Sequence, residues 1–337
     1  MNKICPKIFN IMIKKIALVT GGYSGESVIS YKSADTIKNN LDTQKWDAYL
    51  IDIHPDGWFY KTESGEKINI DKNDFSINVA GQKIIFEAVL IGLHGTPGED
   101  GKLQGYFDCL KIPYTSCNAA TSALTFNKRY TVAVAAFSGI NVAKSVHLFK
   151  DDNILVDDVL TQLKLPVFVK PNNGGSSIGM SKVNVAVDLK AALHKAFKED
   201  EQVLVEEFIQ GREFTIGVYK SDGKIKTLPM TEIITTNDFF DYQAKYEGKS
   251  EEITPANTTE KQKSQIEAAA IKIYQVFNCN GVVRIDFIYE QNKELPYMLE
   301  INTVPGQSAA SIIPQQVAAA GDTLQNFYSS LLSECLS

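Results

Sequence analysis

The stretch from Arg284 to Gly306 limits the possible folds more than any other part of the chain. Arg284 to Glu290 reads as a strand, Asn292 and Lys293 supply a short polar turn, and Tyr297 to Asn302 reads as a strand again before Pro305 and Gly306. Side chains alternate across a strand, so Arg284 and Asp286 share one face of the first run. Glu300 and Asn302 share one face of the second. Pairing of the runs as a hairpin brings Asp286, Glu300 and Asn302 together. Three oxygen donors without His or Cys suit a hard cation such as Mg²⁺, which commonly also holds phosphate oxygens. A hairpin with its polar face in solvent is the other reading, and the three acceptors alone do not separate the two. The flanking Ile285, Phe287, Ile301 and Val304 favour a buried sheet.

The start of the chain carries a second pattern. Ile16–Thr20 is an apolar strand run, Gly21 to Gly25 a tight loop, Val28–Asn40 a segment of helical spacing, and Trp46–Ile53 the next strand. This βαβ order predicts a parallel, doubly wound α/β lobe. Residues 54–85 read as an insertion of hairpin character. Ala88–Leu93 is another apolar strand, ending at His94 and the glycine-rich turn up to Gly101. Ligands of open α/β sheets gather at the carboxyl ends of strands, where both glycine loops sit.

Further along, the spacing predicts helices over Lys128–Ser138, Asp188–Phe197 and Lys261–Phe277, strands over Val167–Lys170 and Val203–Ile209, and a last helix from Thr323. Residues 234–252 are polar and without apolar period, as expected of a lid or a disordered segment.

The chain has 337 residues, enough for two or three lobes. A hydrophobic share of 44% and a charged share of 22% exclude a largely disordered chain. Net charge of −6 argues against a dedicated nucleic-acid binder. The five cysteines form no CxxC pair, which predicts reduced thiols inside a cell. No apolar run reaches the ~20 residues that span a bilayer. Residues 1–11 precede Met12 and read as a disordered extension or as an artefact of start-codon choice.

Several residues carry candidate chemistry. Lys170 ends a strand and is followed by Gly174, Gly175, Ser176 and Ser177, a loop able to bring backbone N–H groups close to anionic oxygens. Gly/Ser loops are more often plain turns, and the P-loop pattern is absent. Lys128 follows Asn127, a good N-cap, and a surface lysine is the commoner case. Lys245 and Tyr246 lie in the polar stretch with Phe239, Phe240 and Tyr242, aromatics that suit a loop folding down on a ligand. Glu206, Glu207 and Glu213 flank a strand end where backbone groups could read an adenine edge and a carboxylate the ribose hydroxyls. Two solvated carboxylates fit the residues better. Glu26 after the first glycine loop suits an ammonium group or a helix start equally. His94 reads more readily as a turn histidine than as a ligand contact, and Glu99–Gly101 as loop and cap chemistry.

Taken together and in this order, these motifs resemble the D-alanine–D-alanine ligase family of the ATP-grasp superfamily. The resemblance runs from Gly21–Glu26 through His94–Gly101, Lys170–Met180, Tyr242–Tyr246 and Arg284–Asp286 to Glu300–Gly306, and covers nearly everything after residue 14. It implies a three-lobed α/β fold, with a doubly wound N-terminal lobe (1–117) and a pair of α+β ATP-grasp lobes (118–205 and 206–337). ATP would be gripped between that pair, and residues 234–252 would be the lid. Lys128, Lys170 and Lys245 would contact phosphates, with Ser176 and Ser177 in the loop beside them. Glu206, Glu207, Ile209 and Glu213 would line the adenosine site. Asp286, Glu300 and Asn302 would hold two Mg²⁺ ions, with Mn²⁺ as a substitute. Glu26, with His94 in the same subsite, would hold the first D-alanine, joined to Ser176 and Tyr246. Arg284 and Gly306 would stabilise developing negative charge, and Ser311 and Ile312 would shape the second subsite.

The implied activity is ATP-dependent joining of two D-alanines through an acyl phosphate, for peptidoglycan precursors, by a cytoplasmic homodimer binding neither nucleic acid nor membrane. Tyr246 implies an amine nucleophile rather than a hydroxy acid. Another ATP-grasp carboxylate–amine ligase, or an inactive nucleotide-binding module, are the alternatives. Intact Lys170, Asp286, Glu300 and Asn302 argue against the module.

Overall fold

Ile16, Ala17, Leu18 and Val19 are all fully buried, as a central strand covered on both faces requires. They lie in β1 (Lys14–Gly21), which is followed by α1 (Ser27–Asn39) and β2 (Trp46–His54). β1 and β2 pair in parallel, with Ile16 opposite Ala48 and Val19 opposite Ile51, completing the expected βαβ unit. The computed structural model describes residues 12–62, 64–152, 156–175, 177–235 and 250–337.

The expected insertion forms β3 (Gly57–Lys61), β4 (Lys67–Asn69), β5 (Ile77–Val79) and β6 (Gln82–Ile84) before β7 (Ala88–Ile91). β3 and β4 extend the first sheet antiparallel beyond β2, giving the order β4-β3-β2-β1-β7, while β5 and β6 pair only with each other. Alternation along β1 builds two layers. Ile16 and Leu18 pack with Ala34 and Ile37 of α1, whereas Ala17 and Val19 pack with Leu103 and Phe107 of α2 (Lys102–Leu110).

Two short helices, α3 (Ala119–Phe126) and α4 (Lys128–Phe137), come next. Asn127 caps α4, its side-chain oxygen accepting from Tyr130 N–H at 3.1 Å. The second sheet follows: β8 (Ser145–Phe149), α5 (Val156–Gln162), β9 (Val167–Pro171), β10 (Ser181–Val183), α6 (Ala186–Ala196) and β11 (Gln202–Glu207). Its order is β10-β9-β11-β8, with neighbouring strands antiparallel. Among the described residues, the buried core that it shares with α5 and α6 runs from Leu148 to Val205, with Val146 packed against it.

The third sheet contains β12 (Gly211–Ser221), β13 (Lys224–Thr227), β14 (Thr231–Thr235), β15 (Ser250–Ile253), β16 (Val282–Glu290) and β17 (Leu295–Asn302). Between β15 and β16 runs α7 (Glu260–Val276), opened by a reciprocal capping box of Thr259 and Gln262. Ile266, Ala270 and Ile273 of α7 pack under this sheet together with Ala135 of α4. The last helices, α8 (Ile312–Ala319) and α9 (Leu324–Cys335), return to the first sheet. Ile313, Val317, Phe327 and Leu331 join the layer that holds Ile16 and Leu18.

One expectation needs correcting. The polar stretch 234–252 is not loop from end to end: Ile234 pairs with Glu251 and Ile233 with Glu252, in β14 and β15. Backbone pairing extends these strands despite the polar sequence, and charge is normal on an edge strand. Residues 236–249, and with them the lid reading, Lys245 and Tyr246, lie outside the described residues. So do residues 1–11.

Candidate active site

β16 and β17 form the expected hairpin, with Arg284 opposite Asn302 and Asp286 opposite Glu300. The register then shifts, and Phe287 pairs with Met298. Leu299 is therefore an extra residue on β17, a bulge of the kind that re-aims side chains beside sites. Asp286 is the best-held group. Arg284 donates Nε and Nη2 to its two carboxylate oxygens at 2.9 Å each, Thr215 donates its hydroxyl at 2.5 Å, and Asn302 donates Nδ2 at 3.2 Å. Two carboxylates and an amide, with no sulfur or imidazole, form a hard-cation donor set. Among the described residues no group of three His, Cys, Asp or Glu is placed to hold a metal ion by itself. A cation here therefore needs further oxygens from a bound molecule, as Mg²⁺ commonly takes them from phosphates.

Two adjoining cavities meet at Glu300. The first, about 430 Å³, lies between the second and third sheets. Lys128, Lys170, Ser177, Glu206, Glu207, Ile209, Glu213, Asp286 and Glu300 all line it. Its apolar wall includes Phe168 and Phe208, whose ring centroids are 6.0 Å apart, with Met180 and Leu299. Lys170 Nζ meets Glu206 Oε2 at 2.5 Å. Burial opposes the lysine's charge, but Glu206, Glu300 and Glu213 outweigh it and hold the ammonium above the ordinary lysine range. Lys128 donates Nζ to the Gly174 carbonyl at 2.7 Å, and the start of α4 is joined to the same loop through Asn172. Glu207 faces the other way from Glu206, as neighbours on a strand must, and accepts from Lys164 N–H at 3.0 Å. Ser176 is outside the described residues.

The second cavity, about 350 Å³, lies between the first and third lobes. Glu26, His94, Arg284, Glu300, Asn302, Gly306, Ser311 and Ile312 line it. Glu26 occupies the N-cap position of α1, beside the helix's positive end, and its side chain makes no capping bond. Its carboxylate instead lies against two glycines. A Cβ on Gly95 would stand 2.6 Å from Glu26 Oε2, and one on Gly175 would stand 2.8 Å from Oε1. Gly95 also has φ of +67°, so a side chain there would be strained and would displace the Glu26 carboxylate. Gly306 is equally close to Ser311, whose Oγ would lie 2.8 Å from an added Cβ.

His94 is no simple turn residue. It is buried, with Nδ1 2.7 Å from the Val304 carbonyl and Nε2 2.8 Å from Ser33 Oγ. Burial pushes its pKa down to about 4, against the pull of the Val304 carbonyl. Glu99, expected as cap chemistry, also reaches the third lobe. Its oxygens accept from Gly95 N–H at 2.7 Å and from Val304 N–H at 3.3 Å. Burial, and then the charge of Glu26, push its pKa up to about 8.

Sequence reasoning missed Thr215, Ser33 and the role of Glu99 as a tie. No local signal marks Thr215 or Ser33, since each matters only through a partner far away in the chain. The acidic residue five positions after His94 was visible, but its reach to Val304 was not.

Two family models match the chain: one described as D-ala D-ala ligase N-terminus over residues 15–117, the other as D-ala D-ala ligase C-terminus over residues 127–333. A D-alanine–D-alanine ligase of Parabacteroides distasonis is 45% identical over 323 residues, covering 96% of this chain and 98% of that protein. One of Flavobacterium johnsoniae is 43% identical, covering 95% and 98%. Among solved structures, the VanG D-Ala:D-Ser ligase from Enterococcus faecalis superposes with a TM-score of 0.86 at 30% identity, covering 96% of this chain and 99% of that one. The Bacillus anthracis D-alanine–D-alanine ligase complexed with ATP gives 0.77 at 26% identity, covering 96% and 97%.

Proposed function

We infer the reaction from the premise that this chain belongs to the D-alanine–D-alanine ligase family, matched by models of both its halves. It is an ATP-dependent ligase that joins two D-alanines through an acyl phosphate, giving D-alanyl-D-alanine, ADP and phosphate for peptidoglycan precursors and so for cell-wall building. The observation that carries this is the pair of cavities meeting at Glu300, one edged by Lys128 and Lys170, the other by Glu26, Arg284 and Ser311.

A carboxylate is a poor acyl donor because its oxygen is a poor leaving group. Phosphorylation by ATP removes that obstacle, and the amine of the second D-alanine then displaces phosphate. In this reading the first cavity takes ATP, with the base between Phe168 and the Ile209 segment, Glu206, Glu207 and Glu213 near the adenosine, and Lys128, Lys170, Ser177 and, from the undescribed segments, Ser176 and Lys245 at the phosphates. The second takes the amino acids. Glu26, with Ser176 and Tyr246, holds the first ammonium group. His94 orients the Val304 end of the loop that closes the subsite, while Ser311, Ile312 and Gly306 shape the second. Arg284 faces the carbonyl where negative charge develops, worth roughly 3–4 kcal/mol in comparable sites. Asp286, Glu300 and Asn302 would hold Mg²⁺, which neutralises phosphoryl charge when bound. Lobes 1–117, 118–205 and 206–337 bring these groups together and exclude water, as acyl phosphates require.

The setting is the cytoplasm, where ATP is available. Among the described residues no helix is long and apolar enough to cross a membrane. A homodimer acting on small molecules alone completes the proposal. Glu300→Gln tests the site: turnover falls by roughly 10²-fold or more while the thermal unfolding midpoint stays within a few degrees. Full activity in that variant would refute the role of the hairpin.

A further inference from the structure

We propose that Gln315 and Gln316, neighbours in α8, are positioning residues for the second amino acid: they fasten the start of that helix, with Ser311 and Ile312, to the sheet that carries Arg284 and Asp286. The proposal rests on the ligase reading above and deepens it.

The third sheet changes partners beside α8. β12 pairs with β14 as far as Thr215, opposite Thr231, and with β13 from Val218, opposite Thr227. Between these two ladders Gln316 takes the place of a strand. Its Oε1 accepts from Gly217 N–H at 2.9 Å, and its Nε2 donates to the Thr215 carbonyl at 3.0 Å. One side-chain amide thus supplies the acceptor and the donor that a neighbouring strand would supply from its backbone. The same Nε2 donates to Thr231 Oγ1 at 3.1 Å, which ties in β14. Gln316 is fully buried, so these bonds are costly to lose. Gly217 lets the helix approach closely: a Cβ there would stand 2.8 Å from Ile313 Cδ1 and 2.9 Å from Gln316 Oε1.

The other edge of this segment of β12 faces the reacting groups. On β16, Arg284 lies opposite Gly217 and Asp286 opposite Thr215, whose hydroxyl donates to Asp286. Gln316 therefore sets α8 at a fixed offset from Arg284 and Asp286. Gln315 fastens the helix on a second side. Its Nε2 donates to Glu252 Oε2 of β15 at 2.9 Å and to the Ala310 carbonyl at 3.1 Å. Glu252, Ala310, Ser311 and Ile312 all line the second cavity, so the N-terminal end of α8 opens on it. A helix start suits the carboxylate of the incoming amino acid. A shift of that end moves the amine that must attack the acyl phosphate, and small misplacements of a nucleophile are expensive.

The D-alanine dependence of dipeptide formation, with ATP and Mg²⁺ saturating, gives separate KM values for the first and second D-alanine. Gln316→Met keeps the length of the side chain and removes its hydrogen bonds. It should raise the second KM roughly tenfold and leave the first KM and that for ATP within about twofold of wild type. Gln315→Glu sets two carboxylates against each other and should raise the second KM roughly three- to tenfold. The double variant Gln315→Glu/Glu252→Gln exchanges donor and acceptor and should bring the second KM back to within about twofold of wild type. A role in stability alone would lower the amount of active protein and single out no KM. An unchanged second KM in Gln316→Met, equal increases in all three KM values, or a double variant no better than Gln315→Glu overturns the proposal. If Gln316→Met does not fold, the two Gln315 variants decide alone. Wild-type protein that makes no dipeptide overturns the ligase reading itself, and the proposal with it.

Discussion

At the scale of single residues, His94 shows how burial fixes a proton. The Val304 carbonyl can only accept, so the ring must carry its hydrogen on Nδ1, which donates at 2.7 Å. Nε2 is then an acceptor, and Ser33 donates to it at 2.8 Å while accepting from Gln307 N–H at 3.1 Å. This chain of bonds fixes both ends of the Val304–Gln307 loop to the first lobe. It also carries a pH signature. A histidine whose folded pKa is depressed to about 4 contributes stability that is present above about 6.5 and lost as pH falls toward 4. Between pH 7 and pH 5 the loss from this one group is about 2 kcal/mol. Glu99 has the opposite sign: its folded pKa is raised, so its contribution is full in acid and lost as pH climbs through about 8. Comparison with His94→Gln cancels Glu99, so urea unfolding at the two pH values should find a drop about 2 kcal/mol smaller in the variant. An equal drop in both proteins would mean that the fold does not depress the pKa of His94. Lys170→Ala should raise KM for ATP at least about tenfold, because it removes the charge proposed to meet the phosphates and breaks the ion pair with Glu206. Unchanged KM would remove Lys170 from the ATP site.

At the scale of elements, the legible parts are those whose burial repeats along the chain. β1, β2, β16 and β17 announce themselves through alternation, and α7 through its Thr259 start and its Ile266–Ala270–Ile273 stripe. Thr259→Ala should cost about 1 kcal/mol in unfolding free energy with kcat unchanged, since the capping box lies away from the cavities. A loss well under half of that would show that the cap is redundant. The illegible parts obey long-range rules. α8 contains Pro314 in its first turn, where the missing N–H does no harm, yet a proline argues against a helix when read alone. β15 is polar because it pairs at an edge. The bulge at Leu299 leaves no trace in the sequence, because it arises only when two strands are laid side by side. The same holds for the site. Asp286, Glu300 and Asn302 were readable from two-residue spacing, whereas Glu99 looked like a loop acid because the Val304 N–H that holds it is distant in sequence. Gly95→Ala should raise KM for the first D-alanine sharply, because the new Cβ meets Glu26 and φ is positive. Wild-type kinetics in that variant would contradict the close approach.

At the scale of the whole molecule, the lobes are not equally independent. α8 and α9 follow the third sheet in the chain but pack on the first, so the first and third lobes share a core. The second sheet keeps a core of its own. In the proposed reading, ATP in the first cavity bridges the self-contained second sheet and the rest, and should stabilise the protein by mass action, about 2.7 kcal/mol at a hundredfold excess over Kd. The amino acids, in the same reading, take the cavity at the joint between the two lobes that share a core. The most direct measurement of this account is product stoichiometry: phosphate release and dipeptide formation followed together with ATP, Mg²⁺ and D-alanine, D-serine or D-lactate as second substrate at neutral pH. The account predicts one phosphate for each D-alanyl-D-alanine, with D-alanine preferred as second substrate and little ester from D-lactate. Phosphate released without dipeptide, or equal turnover with D-lactate, would contradict it.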